Sequence, residues 1–360
     1  MMKAVVFHGQ QDLRTEEVEE PSPLAGQVKL QPAYVGICGT DLHIYYDPDT
    51  CGSDFSRPHP LTGGQPPQIL GHEFSATVVE LGDGVDEVQV GDRVTVFPVY
   101  YCGTCGPCLR GLVNQCTSVG FHGVQSVGGA LATYTIVRAD QCMKLPDSVN
   151  LRVGALVEPM AVCWRAVKRS GVAAGGTALV LGAGPIGIGV LLTLHEFGVR
   201  HILVSEPSDE RRAAISALGA TNVVNPLTAD LAAWVGERTG GAGVDVIFDA
   251  AGVGPALTGS MSLLAPGGAA VIIAVHSHPV QVSPIEMLLG ETSLIGTCAY
   301  VREDFASVLE AMDRGAYSTT EGWVKDVPFD RVEATFISLH GGNGVKALVD
   351  VAGATARSGA

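Results

Sequence analysis

The sequence has few charged residues, few aromatic residues and a shortage of positive charge. Of its 360 residues, 16% are charged and 6% are aromatic, whereas 46% are hydrophobic, so a large apolar core is possible. The 22 Lys and Arg residues face 37 Asp and Glu residues, which gives a net charge of -15. A surface that binds nucleic acid needs a basic patch to neutralise phosphates. The charge balance therefore argues against a nucleic-acid partner, and we interpret the acidity as an aid to solubility.

Long hydrophobic runs are missing as well. The apolar stretches are short and interrupted, such as the run from Thr177 to Leu181, and none approaches the ~20 residues that a membrane span requires. The N-terminal stretch up to Phe7 turns polar too soon for a secretory signal. We therefore expect a cytoplasmic protein with no membrane partner.

Glycine, by contrast, is abundant, with 46 residues, which suits a fold with many tight turns. The length allows two domains of roughly 100–200 residues each. Before Leu156, short β-strands are broken by Gly and Pro, and a polar stretch at 45–70 is expected to form a loop near the mouth of the active site. From Leu156 onward, apolar strands alternate with helical segments, a pattern that builds a parallel sheet with right-handed crossovers. After a helix at 305–314, the chain is expected to return to the first domain and to close with a strand at 345–351.

These patterns predict an α/β fold with two domains. Residues 156–298 are expected to form a doubly wound parallel sheet of the Rossmann type. Residues 1–155 and 299–360 are expected to form a mainly β domain.

The run Gly182-Ala-Gly184-Pro-Ile-Gly187 follows an apolar strand and opens an apolar helix. In this context Gly182 permits the tight turn, Gly184 lets the backbone approach a pyrophosphate, and Gly187 lets helix and strand pack closely. The helix N-terminus, with Pro185 and Ile186 in its first turn, supplies free N–H groups and a partial positive charge to the phosphates. The flanking strand and helix make the prediction specific, because glycine is common enough here to match the motif by chance.

Glu206 ends the next predicted strand, nineteen residues after Gly187. A carboxylate there accepts hydrogen bonds from the ribose hydroxyls of adenosine and repels a 2′-phosphate, which favours NAD over NADP. Arg211 and Arg212 leave NADP open, because either could bind that phosphate if it turned inward. The alternative for both arginines is a solvated helix face, and Arg211 is kept as a candidate cofactor-binding residue.

Four cysteines lie within fifteen residues in Cys102-x2-Cys105-x2-Cys108-x7-Cys116. Glycines and a proline between them bend the loop, so four thiolates can close a tetrahedral shell with no open position, as in a structural zinc site. A disulfide is the alternative, but a cytoplasmic compartment would keep the thiols reduced.

Cys38, His72 and Glu158 are candidates for a second metal site, although their spacing alone does not link them. A histidine beside a glutamate, as His72 is beside Glu73, is more often a surface or core pair than a ligand. The link comes from a wider set of motifs, which together resemble the zinc-containing medium-chain alcohol and polyol dehydrogenases over essentially the whole chain. These motifs are Cys38-Gly-Thr-Asp-Leu-His43, Gly71-His72-Glu73, Gly91-Asp92-Arg93-Val94, Leu156-Val-Glu158-Pro159, the cysteine cluster and the glycine loop.

The resemblance implies a GroES-like catalytic domain with a zinc lobe, two zinc ions per chain, and assembly as a homodimer or homotetramer. Cys38, His72 and Glu158 would surround the catalytic zinc, with Glu73 beside the metal as an alternative ligand. The simple-alcohol branch has a cysteine at the position of Glu158, so the glutamate aligns this chain with the polyol and butanediol branch. The sequence departs from the family at Ala76, where glycine is usual, which should affect local packing more than metal binding.

The resemblance also implies hydride transfer from an alcohol to NAD. Thr40 would accept the hydroxyl proton, which passes by way of the nicotinamide ribose to His43 and then to solvent. Histidine suits the delivery of protons near neutral pH. The alternative for His43 is an ordinary loop histidine.

The likeness extends to the (R,R)-2,3-butanediol dehydrogenases at 119–123, 156–168 and 296–305. We therefore predict interconversion of a vicinal diol and its ketone, with 2,3-butanediol and the acyloin acetoin as the expected pair. Sorbitol and other polyols remain alternatives, as does L-threonine, because threonine dehydrogenases share the run at 38–45. The alternative of another class is an inactive relative with a binding or structural role.

The remaining cysteines and seven further histidines match no position of that family. We expect the cysteines to act as small apolar residues and the histidines to have no chemical role. They are Cys51, Cys142, Cys163, Cys298, His59, His122, His195, His201, His276, His278 and His340.

Overall fold

The computed structural model describes residues 1–48 and 54–353, so Cys51 and part of the predicted 45–70 loop lie outside the described residues. The chain packs into two units. The first contains Met1–Glu158, Val301–Asp313 and the chain from Val324 onward, and the second contains Pro159–Tyr300 and Arg314–Trp323. The domain boundaries expected at 155/156 and 298/299 stay a prediction, and Arg314–Trp323 packs with the second unit.

The described residues form eighteen strands and eleven α-helices. The strands are β1 (Met2–Gly9), β2 (Asp12–Val18), β3 (Gln27–Gly36), β4 (Gln68–Ile69), β5 (Glu73–Leu81), β6 (Arg93–Val96), β7 (Val99–Tyr100), β8 (Gly120–Phe121), β9 (Thr135–Arg138), β10 (Cys142–Lys144), β11 (Thr177–Leu181), β12 (His201–Ser205), β13 (Asn222–Val224), β14 (Val244–Asp249), β15 (Leu264–Ile272), β16 (Ser293–Gly296), β17 (Val324–Pro328) and β18 (Lys346–Asp350). The helices are α1 (Gly39–Tyr46), α2 (Gly106–Leu109), α3 (Leu151–Gly154), α4 (Val157–Ser170), α5 (Pro185–Glu196), α6 (Asp209–Ala217), α7 (Leu231–Thr239), α8 (Gly254–Ser260), α9 (Pro284–Gly290), α10 (Arg302–Asp313) and α11 (Val332–His340).

The first unit is built mainly from antiparallel strands. Its main sheet has the order β10-β6-β5-β3-β18-β17, and β9 also pairs with β3. Val28, Leu30 and Val35 of β3 are fully buried, so this strand lies at the core of the unit. The predicted return of the chain takes the form of β18, which pairs antiparallel with the end of β3.

The second unit contains a parallel sheet in the order β13-β12-β11-β14-β15-β16. The order reverses between β11 and β14, which is the switch point of a doubly wound sheet. Strands buried on both faces are continuously apolar, and β11 shows this in Ala178, Leu179 and Val180, all fully buried. The predicted doubly wound sheet is therefore confirmed.

One strand prediction for the second unit is corrected by the structure. The strand expected at 270–275 begins earlier, at Leu264, and ends at Ile272, after which the N–H groups of Ile273 and Ala274 both donate to the carbonyl of Asp249. Arg314–Trp323 joins this unit through Tyr317, which is 4% exposed and has its hydroxyl 3.0 Å from Oγ1 of Thr193 on α5. Within the described ranges, no helix combines the length and apolarity needed to cross a membrane.

Candidate functional site

Cys38, His72 and Glu73 come together in the first unit. One potential ligand atom from each lies within 4.8 Å of the others. Cys38 caps the start of α1, whereas His72 precedes β5 and Glu73 opens it. His72 and Glu73 are buried and Cys38 is half-buried. Thiolate, imidazole and carboxylate are donors that zinc accepts, and three of them leave a fourth position open, as in a catalytic site.

Asp41 orients this cluster. One oxygen of its carboxylate accepts the N–H of Cys38 at 2.9 Å, which caps α1. The other oxygen lies 3.4 Å from Nδ1 of His72, and Asp41 is fully buried. The contact is electrostatic, since neither this oxygen nor Nδ1 of His72 has a hydrogen-bond partner among the described residues. A carboxylate beside one ring nitrogen favours metal binding through the other, which for His72 is Nε2.

A buried ion pair joins Glu73 to Lys346, the first residue of β18. Both side chains are 2% exposed, and Nζ of Lys346 also donates to the carbonyl of Ile37 at 3.0 Å. Position 36 requires glycine, because a Cβ there would overlap the carboxylate of Glu73 and lie 3.1 Å from Nζ of Lys346. The ends of β3, β5 and β18 therefore meet at the metal-binding cluster.

The charges of the cluster shift its pKa values. Burial raises the pKa of the Cys38 thiol above its ordinary value, and the charge of Glu73 adds to the rise. Burial lowers the pKa of His72, but Asp41 and Cys38 outweigh burial and hold that pKa well above its ordinary value. Zinc binds the thiolate and the neutral imidazole, so binding here releases protons and weakens as the pH falls.

Glu158 lies in the first turn of α4 and is buried, with 6% exposure. Among the described residues, the group that meets within 4.8 Å contains Glu73 and not Glu158. Burial lowers the pKa of Lys346, but Glu73, Cys38 and, to a smaller extent, Glu158 raise it above its ordinary value. Glu73 joins the group because it follows His72 directly, so a single backbone segment positions both side chains.

The two candidate proton-relay residues lie on α1. Thr40 is half-buried, and its Oγ1 lies 3.6 Å from Sγ of Cys38. His43 is exposed and lies three residues further along the helix. Residues at this spacing are neighbours on a helix surface. The helix thus carries a hydroxyl beside the cluster and an imidazole at the protein surface.

The four cysteines form a second cluster, with their sulfur atoms within 4.8 Å of one another and no disulfide among them. Hydrogen bonds from the N–H and hydroxyl of Thr104 and from the N–H of Cys105 lower the pKa of Cys102 to about 6. Burial and the neighbouring thiols raise the pKa of Cys108 to about 12. Four thiols this close cannot all ionise without a cation among them. Together, Cys102, Cys105, Cys108 and Cys116 fit a closed, structural zinc site.

The glycine loop lies between β11 and α5. Gly182 has φ +92, in the left-handed region, and a Cβ on Gly187 would overlap the carbonyl of Gly182. Gly184 caps α5, which begins at Pro185, with Ile186 partly buried in the same turn. A Cβ on Gly184 would meet nothing within 4 Å, so there is open space in front of the helix N-terminus. This geometry fits a pyrophosphate.

Glu206 follows β12 and is 3% exposed. Its carboxylate oxygens accept the N–H groups of Ala183 at 2.7 Å and Ser208 at 2.8 Å, so it also holds the glycine loop in place. Each oxygen keeps one further lone pair that a ribose hydroxyl can use. Arg212 bonds to backbone carbonyls at the start of its own helix, whereas Nε of Arg211 is buried without a hydrogen-bond partner in the described part of the chain.

The sequence prediction missed Asp41 and Lys346. Asp41 stands three residues after Cys38, a spacing typical of a helix cap, so the cap could have been found. Lys346 lies 273 residues from Glu73, and only the pairing of distant strands brings the two together.

Comparison with known proteins identifies the family. Residues 24–147 match the alcohol dehydrogenase GroES-like domain, and residues 185–314 match the zinc-binding dehydrogenase domain. The chain is 38% identical over 332 residues to the (R,R)-butanediol dehydrogenase of Bacillus subtilis, covering 91% of this chain and 93% of that protein. It is 36% identical over 350 residues to the 2-dehydro-3-deoxy-L-galactonate 5-dehydrogenase of Pseudoalteromonas atlantica, covering 97% and 98%.

Solved structures match both units. The crystal structure of 2R,3R-butanediol dehydrogenase from Bacillus subtilis superposes with a TM-score of 0.89 at 36% identity, covering 97% of this chain and 99% of that one. An Escherichia coli alcohol dehydrogenase complexed with NADH gives a TM-score of 0.87 at 27% identity, with the same coverage. A zinc-binding dehydrogenase from Sinorhizobium meliloti bound to NADP gives 0.85 at 28%, again with that coverage. The Rossmann and GroES-like architecture is confirmed, and the chain belongs to the zinc-binding alcohol dehydrogenase family of oxidoreductases.

Proposed function

We propose that this dehydrogenase uses two zinc ions and NAD(H) to interconvert a vicinal diol and its ketone, with 2,3-butanediol and acetoin as the pair. The buried cluster of Cys38, His72 and Glu73, with His72 oriented by Asp41, carries the proposal. The names of the relatives differ in substrate, so the family alone does not select the diol. Glu158, in place of the cysteine of simple-alcohol enzymes, and the likeness to butanediol dehydrogenase support it.

The two donor sets fit zinc ions of different kinds. Cys38, His72 and one carboxylate, Glu73 or Glu158, would hold a catalytic ion and leave one position for substrate. The four thiols would hold a structural ion with no open position. When bound, the catalytic zinc supplies a Lewis acid that lowers the pKa of a substrate hydroxyl.

The side chains of α1 would move the proton. Thr40, beside Cys38, would accept it from the substrate hydroxyl, and the exposed His43 would pass it to water. Asp41 keeps the ring of His72 in one orientation while this occurs. Lys346 pairs with the carboxylate of Glu73 in a buried position.

The second unit would hold the dinucleotide. The glycine loop would bind the pyrophosphate, and the carboxylate of Glu206 would bind the adenosine ribose and disfavour a 2′-phosphate. The alternative is NADP bound through Arg211. When bound, the nicotinamide accepts the hydride.

Sorbitol, other polyols and L-threonine are the alternative substrates. An inactive relative is disfavoured because Cys38, Thr40, His43, His72 and Glu158 are all present. We also propose a homodimer or homotetramer, on the resemblance to dehydrogenases that assemble in this way. A cytoplasmic location without nucleic-acid or membrane partners is proposed on the net charge of -15 and the short apolar runs.

The first prediction concerns metal content. Wild-type protein should contain two zinc ions per chain, one for each donor cluster. Cys105→Ser should lose about one equivalent together with much stability, because a structural zinc contributes folding free energy. His72→Ala should lose the other ion and all turnover while circular dichroism stays native. Elemental analysis is the measurement, with Cys298→Ser as the control that keeps both ions. Active wild-type protein with a single metal per chain would contradict the two-site proposal.

The second prediction concerns the buried ion pair. Lys346→Met leaves the charge of Glu73 unpaired, and should lower the free energy of unfolding by about 3–5 kcal/mol. Glu73→Gln combined with Lys346→Met removes both charges and should recover most of that loss. Urea unfolding of Glu73→Gln, Lys346→Met and the double variant, prepared without the catalytic ion, provides the cycle. If the losses of unfolding free energy in the two single variants simply add in the double variant, Glu73 and Lys346 do not stabilise each other.

The third prediction concerns the cofactor. The kcat/KM of the wild type should be higher with NAD than with NADP. Glu206→Gln removes the charge and keeps one oxygen that can accept the N–H of Ala183, although the bond to the N–H of Ser208 is lost, so it should narrow the gap in kcat/KM between the two cofactors. Adding Arg211→Ala should then reduce the NADP activity again. A wild-type preference for NADP would show that the arginine determines the specificity and that Glu206 was misinterpreted.

The fourth prediction concerns the substrate. A site built to hydrogen-bond a second hydroxyl can reject an analogue without it by as much as ~10⁴-fold. Oxidation of 2,3-butanediol should therefore be far more efficient than oxidation of 2-butanol, and acetoin should be reduced with NADH. Steady-state kinetics should include every butanediol stereoisomer, sorbitol and L-threonine. Higher efficiency with sorbitol or threonine than with any butanediol would overturn the diol assignment and leave the zinc chemistry intact.

A further inference from the structure

A buried carboxylate at the end of β14 has no part in the chemistry described so far. Asp249 is fully buried, and its Oδ1 accepts the N–H groups of Ala251 and Gly252, both at 3.1 Å. Nε2 of His276 lies 2.5 Å from its Oδ2, and the side chain of His276 is 12% exposed. An ionised carboxylate only accepts hydrogen bonds, so Nε2 is the donor.

The backbone around this pair is tightly packed. Gly252 has φ +67, and a Cβ there would lie 2.7 Å from the carbonyl oxygen of Val275. The carbonyl of Asp249 also accepts the N–H groups of Ile273 and Ala274, at 3.1 Å and 3.0 Å. The segment that carries His276 is therefore fixed to the end of β14 by both the backbone and the side chain of Asp249.

The residues that follow β14 also contact the glycine loop. The N–H of Ala250 donates to the carbonyl of Leu181 at 3.0 Å, and a Cβ on Gly182 would lie 3.2 Å from Cβ of Ala251. In the sheet order β13-β12-β11-β14-β15-β16, Glu206 follows β12, on one side of the loop. Asp249 ends β14 and His276 follows β15, on the other side of the glycine loop.

The topology assigns these two sides to the two halves of a dinucleotide. A doubly wound sheet binds one mononucleotide with each half, and the pyrophosphate lies at the switch point between them. If Glu206 binds adenosine, the ends of β14 and β15 face the nicotinamide mononucleotide. A second polar group at this edge is Thr297, after β16, whose Oγ1 is buried and has no partner among the described residues.

We propose that His276 binds the nicotinamide mononucleotide half of the cofactor and that Asp249 positions it. Because Nε2 faces Asp249, Nδ1 is the ring nitrogen left for the cofactor, and either a ribose hydroxyl or the carboxamide can form a hydrogen bond with it. This inference rests on the proposed NAD(H) dependence.

The test compares the binding of two probes to the full-length, zinc-loaded protein. NADH carries both halves of the cofactor, whereas ADP carries the adenosine half and the pyrophosphate without the nicotinamide half. His276→Phe keeps a ring of similar size, and should weaken NADH binding by roughly three- to tenfold, the value of one hydrogen bond, with ADP binding unchanged. The emission of bound NADH should also change. His278→Phe, at an exposed histidine two residues away, is the matched control and should bind both probes like the wild type.

Asp249→Asn keeps the test decisive if the phenylalanine variant is unstable. Its amide oxygen can still accept the N–H groups of Ala251 and Gly252, but its NH₂ would face Nε2 and remove the acceptor that positions His276. NADH binding should again weaken while ADP binding holds. Unchanged NADH binding in both variants, or an equal loss for NADH and ADP, would overturn the role of His276. Wild-type protein that binds neither probe would instead overturn the proposed cofactor itself.

Discussion

The buried ion pair between Glu73 and Lys346 is the contact on which the geometry of the metal-binding cluster depends. Two charges that are each 2% exposed have lost their water, and such a pair is stable only with further hydrogen bonds and close fit. The carbonyl of Ile37 supplies one of those bonds, and the missing side chain at Gly36 supplies the room. Strand β18, near the end of the described chain, is consequently part of a site whose metal-binding residues lie near the beginning of the chain. Those residues are Cys38, His72 and Glu73.

Three carboxylates in this protein act on the backbone and on a functional group at once. Asp41 caps α1 and faces His72, Glu206 holds Ala183 in the glycine loop, and Asp249 holds a turn and His276. Asp41, Glu206 and Asp249 are all buried, and each accepts at least one backbone N–H of fixed position, which offsets part of the loss of water around the carboxylate. The polar groups that would meet metal and cofactor are thus held by backbone that the same carboxylates organise.

Much of the architecture could be predicted because its signals are local. The alternation of apolar strands and helices after Leu156 depends on the period of burial within each element, and the glycine loop depends on six consecutive residues. Errors arose where tertiary contacts override a local pattern. The apolar run after Ile272 continues in sequence, but Asp249 captures its N–H groups and ends the strand. Arg314–Trp323 has no local signal for its unit, and the burial of Tyr317 decides it.

By itself, the sequence determined the doubly wound sheet, the four-cysteine cluster and the glycine loop, because the residues that define each of them are close together in the chain. It also named Cys38 and His72 as partners, through motifs shared with a family. Only the tertiary structure decided that Glu73, expected as an alternative ligand, lies within reach of them, that Lys346 pairs with it and that His276 pairs with Asp249. Those contacts depend on which distant strands pair and in what register, and neither periodicity nor spacing encodes that pairing.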